Sequence, residues 1–259
     1  MTQASDMTAP TVLRMEGVSK VFAGGVTALK DMNLTVRQGD FISLLGPSGC
    51  GKSTALRLIA GLMHPTAGRV QWEGSQQAGD LGVVFQEATL MPWATVAKNV
   101  WLPMRLRGVK FGDVEAQIHD ALKMVGLENF ANSYPRELSG GMKMRVSIAR
   151  ALVTKPRLIL MDEPFAALDE ITRNKMNRDL MDLQKTLNCT VIFVTHSVFE
   201  SVFLSNRIVV MAPRPGRVAH ELRVDVEGPR DEDFRTSAEY AALCRAASDA
   251  LSDAMGEQA

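Results

Sequence analysis

The stretch Gly46-Pro-Ser-Gly-Cys-Gly-Lys-Ser-Thr54 directly follows the apolar run Phe41–Leu45 and opens a helical pattern at Ser53. It fits G-x-x-x-x-G-K-S/T in the strand–loop–helix context that this motif needs. Gly46, Gly49 and Gly51 let the backbone turn sharply, so that consecutive N–H groups point inward at an anion. Pro47, Ser48 and Cys50 complete the loop, Cys50 as a tolerated small residue. The helix N-terminus that follows adds partial positive charge. Lys52 can reach β- and γ-phosphates, the Ser53 hydroxyl can ligate Mg²⁺, and Thr54 closes the motif. A chain built around such a loop is expected to be α/β.

The rest of the sequence agrees with that class. Short β-branched runs alternate with longer helical patterns, which favours a mostly parallel sheet flanked by helices. Strands are expected at 11–18, 34–36, 41–45, 69–72, 81–85, 158–162, 190–195 and 208–212, with alternation continuing over Val218–Val226. Helices are expected at 53–60, 114–125, 142–154, 171–187 and 198–204, with a helical tail from Ser237 to Gly256. Between Gln86 and Thr154 the strand signal disappears, as in a helical insertion. The boundaries that follow are a flexible 1–10, a core of 11–86 and 155–225, an insertion over 87–154, and a tail over 226–259.

Composition excludes several classes. The 259 residues carry 29 Lys+Arg against 29 Asp+Glu. That balance argues against a nucleic-acid binder and gives no electrostatic reason to adhere to anionic lipid. No apolar run approaches the roughly 18–20 residues of a membrane-spanning helix. Met1–Pro10 has neither a basic start nor an apolar run, so no signal peptide is expected. Cys50, Cys189 and Cys244 are far apart, as in a reduced cytoplasmic chain without a disulfide framework.

Two further segments carry chemistry. Leu158-Ile-Leu-Met-Asp-Glu163 is an apolar strand ending in two carboxylates. Beside a phosphate loop, Asp162 can hold Mg²⁺ and Glu163 can act on the attacking water as general base. Leu138-Ser-Gly-Gly-Met142 precedes a helix. Taken alone it is a good N-cap, yet the same hydroxyl and N–H groups make a second anion site.

Together these segments resemble the ATP-binding subunit of an ABC transporter over about residues 11–225. The resemblance is carried by the Gly46–Thr54 loop, Gln86 after Val83-Val-Phe, Leu138–Gly141, Leu158–Glu163, Ala167-Leu-Asp169, and His196 after Val194-Thr. It implies an ABC-type P-loop NTPase core with an inserted helical subdomain and an antiparallel β portion, using ATP and Mg²⁺. Phe22 matches the aromatic that stacks on adenine; without the resemblance it reads equally well as a core residue. Gln86 matches the residue that links Mg²⁺ and the lytic water to the transporter contacts. His196 matches the switch histidine at the γ-phosphate, and Asp169 the residue that crosses the dimer interface. Two chains are then expected to stack head to tail as a homodimer. Each ATP lies between one chain's Lys52 loop and the other chain's Ser139, Gly140, Gly141 and Met142. Met142 and Met144 depart from the common pattern, where Gln is usual at position 142. His64, His119 and His220 match no motif.

The motifs around Leu160–Asp169 and Met211–Arg217 are similar to the nitrate/sulfonate/taurine importer group. The resemblance implies a cytoplasmic ATPase, peripheral on the inner face of the membrane, that energises separate permease subunits and, indirectly, a periplasmic or extracellular solute-binding protein. The alternative is a non-transport ABC ATPase acting as a nucleotide-gated clamp or assembly factor. A small-molecule kinase would leave Leu138–Gly141 and His196 unexplained. Leu90, Met91, Trp93 and Trp101 lie among prolines just after Gln86. They either fill the helical core or form an apolar surface on which a permease helix docks.

Overall fold

The computed structural model describes residues 9–74, 79–226 and 228–256. Residues 1–8 of the expected flexible terminus, and Glu227 and residues 257–259 of the expected tail, lie outside the described residues. In chain order the elements are β1 (Thr11–Val21), β2 (Thr27–Arg37), β3 (Phe41–Leu45), α1 (Lys52–Ile59), β4 (Ala67–Trp72), β5 (Leu81–Val84), α2 (Val96–Leu106), α3 (Glu115–Met124), α4 (Gly140–Leu152), β6 (Leu158–Asp162), α5 (Glu170–Leu187), β7 (Thr190–Thr195), α6 (Val198–Leu204), β8 (Arg207–Ala212), β9 (Arg217–Arg223), α7 (Glu232–Thr236) and α8 (Ala238–Gly256). They group into two compact units, residues 1–76 with 190–259, and residues 77–189.

In the first unit β3 runs parallel to β7 on one side and β8 on the other, and β9 pairs antiparallel with β8. Every residue of β3, β7 and β8 is buried, which is why these strands read as nearly continuous apolar runs. A separate antiparallel sheet has the order β2-β1-β4. Here the expectation of a short strand at 34–36 is corrected, because β2 starts at Thr27. Its buried residues are Leu29, Met32, Leu34 and Val36, so the alternation skips a residue near Asp31, which has a φ of 49°. The pairing with β1 shifts register on both sides of Val18, as a β-bulge requires. A five-residue window sees only the regular end of such a strand.

Polar groups tie this unit together. The buried Arg207 guanidinium donates to Asp40 Oδ2 at 2.5 Å, to the Thr35 carbonyl at 2.9 Å, and from Nε to Glu221 Oε1 at 2.8 Å. Burial alone would lower the Arg207 pKa, but the charges of Asp40 and Glu221 more than offset it and the net direction is upward. The carboxy-terminal helices pack on α6 through Phe203, Phe234 and Tyr240.

The second unit holds the parallel pair β5 and β6 and helices α2 to α5. Helix α2 had no counterpart among the expected helices, and Pro103 lies inside it while the helix still runs to Leu106. What organises the turn before it is Asn99, fully buried, whose side-chain amide donates to the carbonyls of Met91, Ala94 and Thr95 and accepts from Met91 N at 2.7 Å. Helix α7 also had no counterpart among the expected helices.

Candidate active site

The glycine loop leaves β3 at Leu45 and enters α1 at Lys52. Gly49 and Gly51 adopt φ of 79° and 96°, a region open to glycine and strained for other residues. A Cβ on Gly51 would also fall 2.8 Å from the Ala28 carbonyl oxygen. The Lys52 ammonium is buried and donates to the carbonyls of Gly46 at 2.7 Å and Pro47 at 3.0 Å. Ser53 and Thr54 stand half-buried in the first turn of α1, while Ser48 and Gly49 are exposed. The Cys50 side chain is buried, and its backbone carbonyl lies against Gly216.

His196 follows β7 and is exposed. Leu45 and Thr195 are register partners on adjacent parallel strands. The loop and His196 therefore leave neighbouring strands at the same carboxyl edge, where ligands bind in open α/β sheets. Phe22 lies just past β1 with 38% of its surface exposed and Lys20 Nζ 5.8 Å from its ring centroid, so it is not a core residue.

The second unit repeats the arrangement on its own strands. Val84 pairs with Met161, so Gln86, two residues past β5, and the carboxylates of Asp162 and Glu163 share one strand edge. Gln86 is exposed; Asp162 and Glu163 are half-buried. Glu163 has a φ of 46°, a left-handed backbone that a non-glycine residue adopts only at a cost and that clusters at functional sites. The Ser53 hydroxyl in the first unit, and separately the Gln86 amide and Asp162 carboxylate oxygens in the second, are each hard donors of the kind Mg²⁺ prefers.

Ser139 is the N-cap of α4, with Oγ accepting from Met142 N at 3.3 Å, and Gly140 is exposed beside it. Gly141 and Met142 are half-buried, whereas Met144 is turned into the core. Asp169 caps α5 by accepting from Thr172 N at 3.0 Å, and these hydrogen bonds hold its exposed carboxyl below the usual carboxylate range. The expected docking residues divide. Trp93 is 77% exposed and Leu90 and Met91 are half-buried. Trp101 is packed edge-on against Phe111, 5.5 Å between centroids, and donates from Nε1 to the Val109 carbonyl.

Sequence reading missed residues whose partners are distant along the chain. Arg150, on α4, donates to the carbonyls of Ala88 and Thr89, both at 2.9 Å, and so holds the segment that follows Gln86. A groove of about 470 Å³ beside it is lined by Val83, Phe85, Leu102, Pro103, Leu106 and Arg107. No periodicity or motif marked either feature.

The ABC transporter family pattern matches residues 29–166. The chain is 48% identical over 234 residues to an uncharacterized ABC transporter ATP-binding protein of Methanocaldococcus jannaschii, covering 88% of this chain and 86% of that one. It is 43% identical to a nitrate import ATP-binding protein, NrtD, of Synechocystis, over 85% of each chain. A solved dimeric ATP-binding cassette in a post-hydrolysis state with ADP and Pi superposes with a TM-score of 0.70 at 34% identity, covering 83% of this chain and 99% of that one. Among the described residues no helix is long and apolar enough to cross a membrane. The chain belongs to the ABC transporter family, as an ATP-binding, ATP-hydrolysing subunit.

Proposed function

We propose that this subunit energises an importer for a small anion or zwitterion of the nitrate, sulfonate or taurine class. It works as a homodimer held on the inner face of the membrane by permease subunits, and a solute-binding protein delivers the cargo. Lys52, Ser53 and the loop amides bind the phosphates of ATP, while Ser53, Gln86 and Asp162 hold Mg²⁺. Glu163 and His196 govern the water, and Ser139–Met142 of the partner chain complete the site. The catalytic work is positioning and charge neutralisation around an in-line attack. The segment 87–154 forms a helical insertion, and the groove that its Leu106 makes with Phe85 receives a permease helix. The observation that carries this reading is the exposure of Leu106 at 79%, in a groove it lines with Phe85 and Leu102, and of Trp93 at 77%, outside that groove but in the same segment after Gln86 as Leu106. Exposed apolar side chains grouped around a cleft mark a partner surface. The solute class rests on the nitrate import relative and on the Leu160–Asp169 and Met211–Arg217 motifs. Co-expression with the cognate permease and binding protein, followed by ATP-dependent vesicle uptake of labelled nitrate and taurine, tests it. Uptake of either supports the reading. A tight complex with a soluble partner and no membrane protein overturns it in favour of a clamp or assembly factor.

A further inference from the structure

His196 sits between two residues whose hydroxyls are committed. Thr195 Oγ1 donates to Glu200 Oε2 at 2.5 Å and accepts from Ser197 N at 3.0 Å, and Ser197 Oγ accepts from Glu200 N at 3.3 Å. Thr195 is 2% exposed and Glu200 9%. These bonds run across the His196 turn, from the last residue of β7 to the first turn of α6. The acceptor on Glu200 takes the only proton Thr195 Oγ1 has, which leaves an oxygen lone pair for the Ser197 N–H. That fixes the peptide on the far side of His196. Helix α6 is anchored independently at its other end. Arg230 donates there to the carbonyls of Phe203 at 3.0 Å and Ser205 at 2.6 Å, while the Tyr240 hydroxyl donates to the Phe199 carbonyl at 3.0 Å in the first turn.

A buried carboxyl group is a poor choice for packing alone, because burial costs free energy that an apolar side chain of similar size avoids. Ser197 and Glu200 appear in none of the phosphate or metal motifs above, and Thr195 only as the residue before His196. We propose that Glu200 is a positioning residue for ATP hydrolysis: through the Thr195 hydroxyl it sets the turn that presents His196. The proposal rests on the role given to His196 above. Positional errors of about 1 Å at such a group cost up to ~100-fold in rate.

The test is steady-state ATPase kinetics of the full-length chain, with a mutant cycle. Glu200→Ala is expected to lower kcat about tenfold with KM for ATP within about twofold of wild type. Glu200→Gln retains an acceptor for Thr195 and is expected to recover most of that loss. In a His196→Ala background, Glu200→Ala is expected to cost nothing further, because its effect passes through His196. If Glu200→Ala fails to fold, Thr195→Val runs the same cycle, with melting curves confirming the fold. Losses that multiply in the double variant, a change in KM alone, or a Glu200→Gln variant as impaired as Glu200→Ala would each overturn the proposal. Wild-type turnover in His196→Ala would instead remove the role of His196 itself, and the proposal with it.

Discussion

Gly216 lies against the Cys50 carbonyl so closely that a Cβ at position 216 would stand 2.1 Å from the oxygen. The turn between β8 and β9 thereby becomes the floor of the glycine loop. Gly216 N donates to the Ala28 carbonyl at 3.0 Å, and Lys30 N donates to the Gly216 carbonyl at 2.9 Å. Two of the three nearest atoms are backbone oxygens, so no rotamer change relieves the clash. Gly216→Ala is expected to destabilise the fold by about 1–3 kcal/mol and to weaken ATP binding at least tenfold. Calorimetric titration with ATP beside a thermal melt checks both. A lower melting temperature with unaltered affinity would separate the turn from the loop.

Arg150 answers a different question, namely what holds the backbone after Gln86. Its guanidinium spans the Ala88 and Thr89 carbonyls, and Thr89 has a φ of 45°. Burial lowers the Arg150 pKa; the fixed fork of donors is what a lysine would lack. Arg150→Ala removes charge-assisted hydrogen bonds worth about 1.5–3 kcal/mol. Amide hydrogen exchange over Gln86–Met91 is expected to accelerate while the centre of α4 keeps its protection. Arg150→Lys should show an intermediate effect. Uniform acceleration across both regions would make Arg150 a global rather than a local brace.

The outcome depends on how each feature is encoded. Phe41–Leu45, Leu158–Asp162 and Thr190–Thr195 were legible to the residue, because a strand covered on both faces must be apolar throughout. Helix α2 was not legible, since Pro103 speaks against a helix locally and only the surrounding packing overrides it. The site was legible where chemistry is compressed into consecutive residues, as in Gly46–Thr54. It was opaque where a residue acts at a distance. Arg150 meets partners 61 and 62 positions away, and Gly216 supports a loop that begins far upstream in sequence. Nothing in a linear pattern reports such a contact.

Glu163 is expected to be the residue whose loss stops chemistry without stopping binding. Its left-handed backbone aims a half-buried carboxylate at the end of β6, and Gln preserves shape and hydrogen bonding while removing the basic oxygen. Glu163→Gln should lower turnover by about 10²–10⁴-fold, the usual contribution of a general base. ATP affinity should change little, and Mg²⁺–ATP should trap a dimer on a sizing column. An unaltered turnover rate would remove Glu163 from its role.

Cys189 is a buried thiol whose pKa burial raises from 9.0 to about 11. Its thiolate fraction at pH 8 is then about 10⁻³, so the native protein should resist iodoacetamide there and react only on unfolding. The sign of the linkage follows from proton binding. Between pH 9 and 11 the folded thiol keeps its proton while the unfolded one loses it, so stability falls as pH rises through that window. The loss attributable to this group is about 2–3 kcal/mol. Urea titrations from pH 8 to 10.5 should therefore show a shallower decline for Cys189→Ala than for wild type. Equal slopes, or rapid native-state alkylation of Cys189, would contradict the burial argument.

The proposed docking surface makes the most direct demand on assembly. Trp93 projects from a turn that the buried Asn99 side chain holds, and Leu106 is exposed near the end of α2. Covering most of an indole, on the order of 150 Å² at about 25 cal/mol per Å², is worth at most about 4 kcal/mol. Part of that is spent on ordering the partner, so Trp93→Ala should weaken permease association by at least tenfold rather than by the full several hundredfold. Leu106→Asp, which places a charge in an apolar contact, should be worse. Neither side chain belongs to the phosphate or metal groups, so both variants should bind ATP with wild-type affinity and lose transport. Affinity capture of the permease in detergent measures the first effect and vesicle uptake the second. Wild-type capture by both variants would place the permease contact elsewhere on the chain.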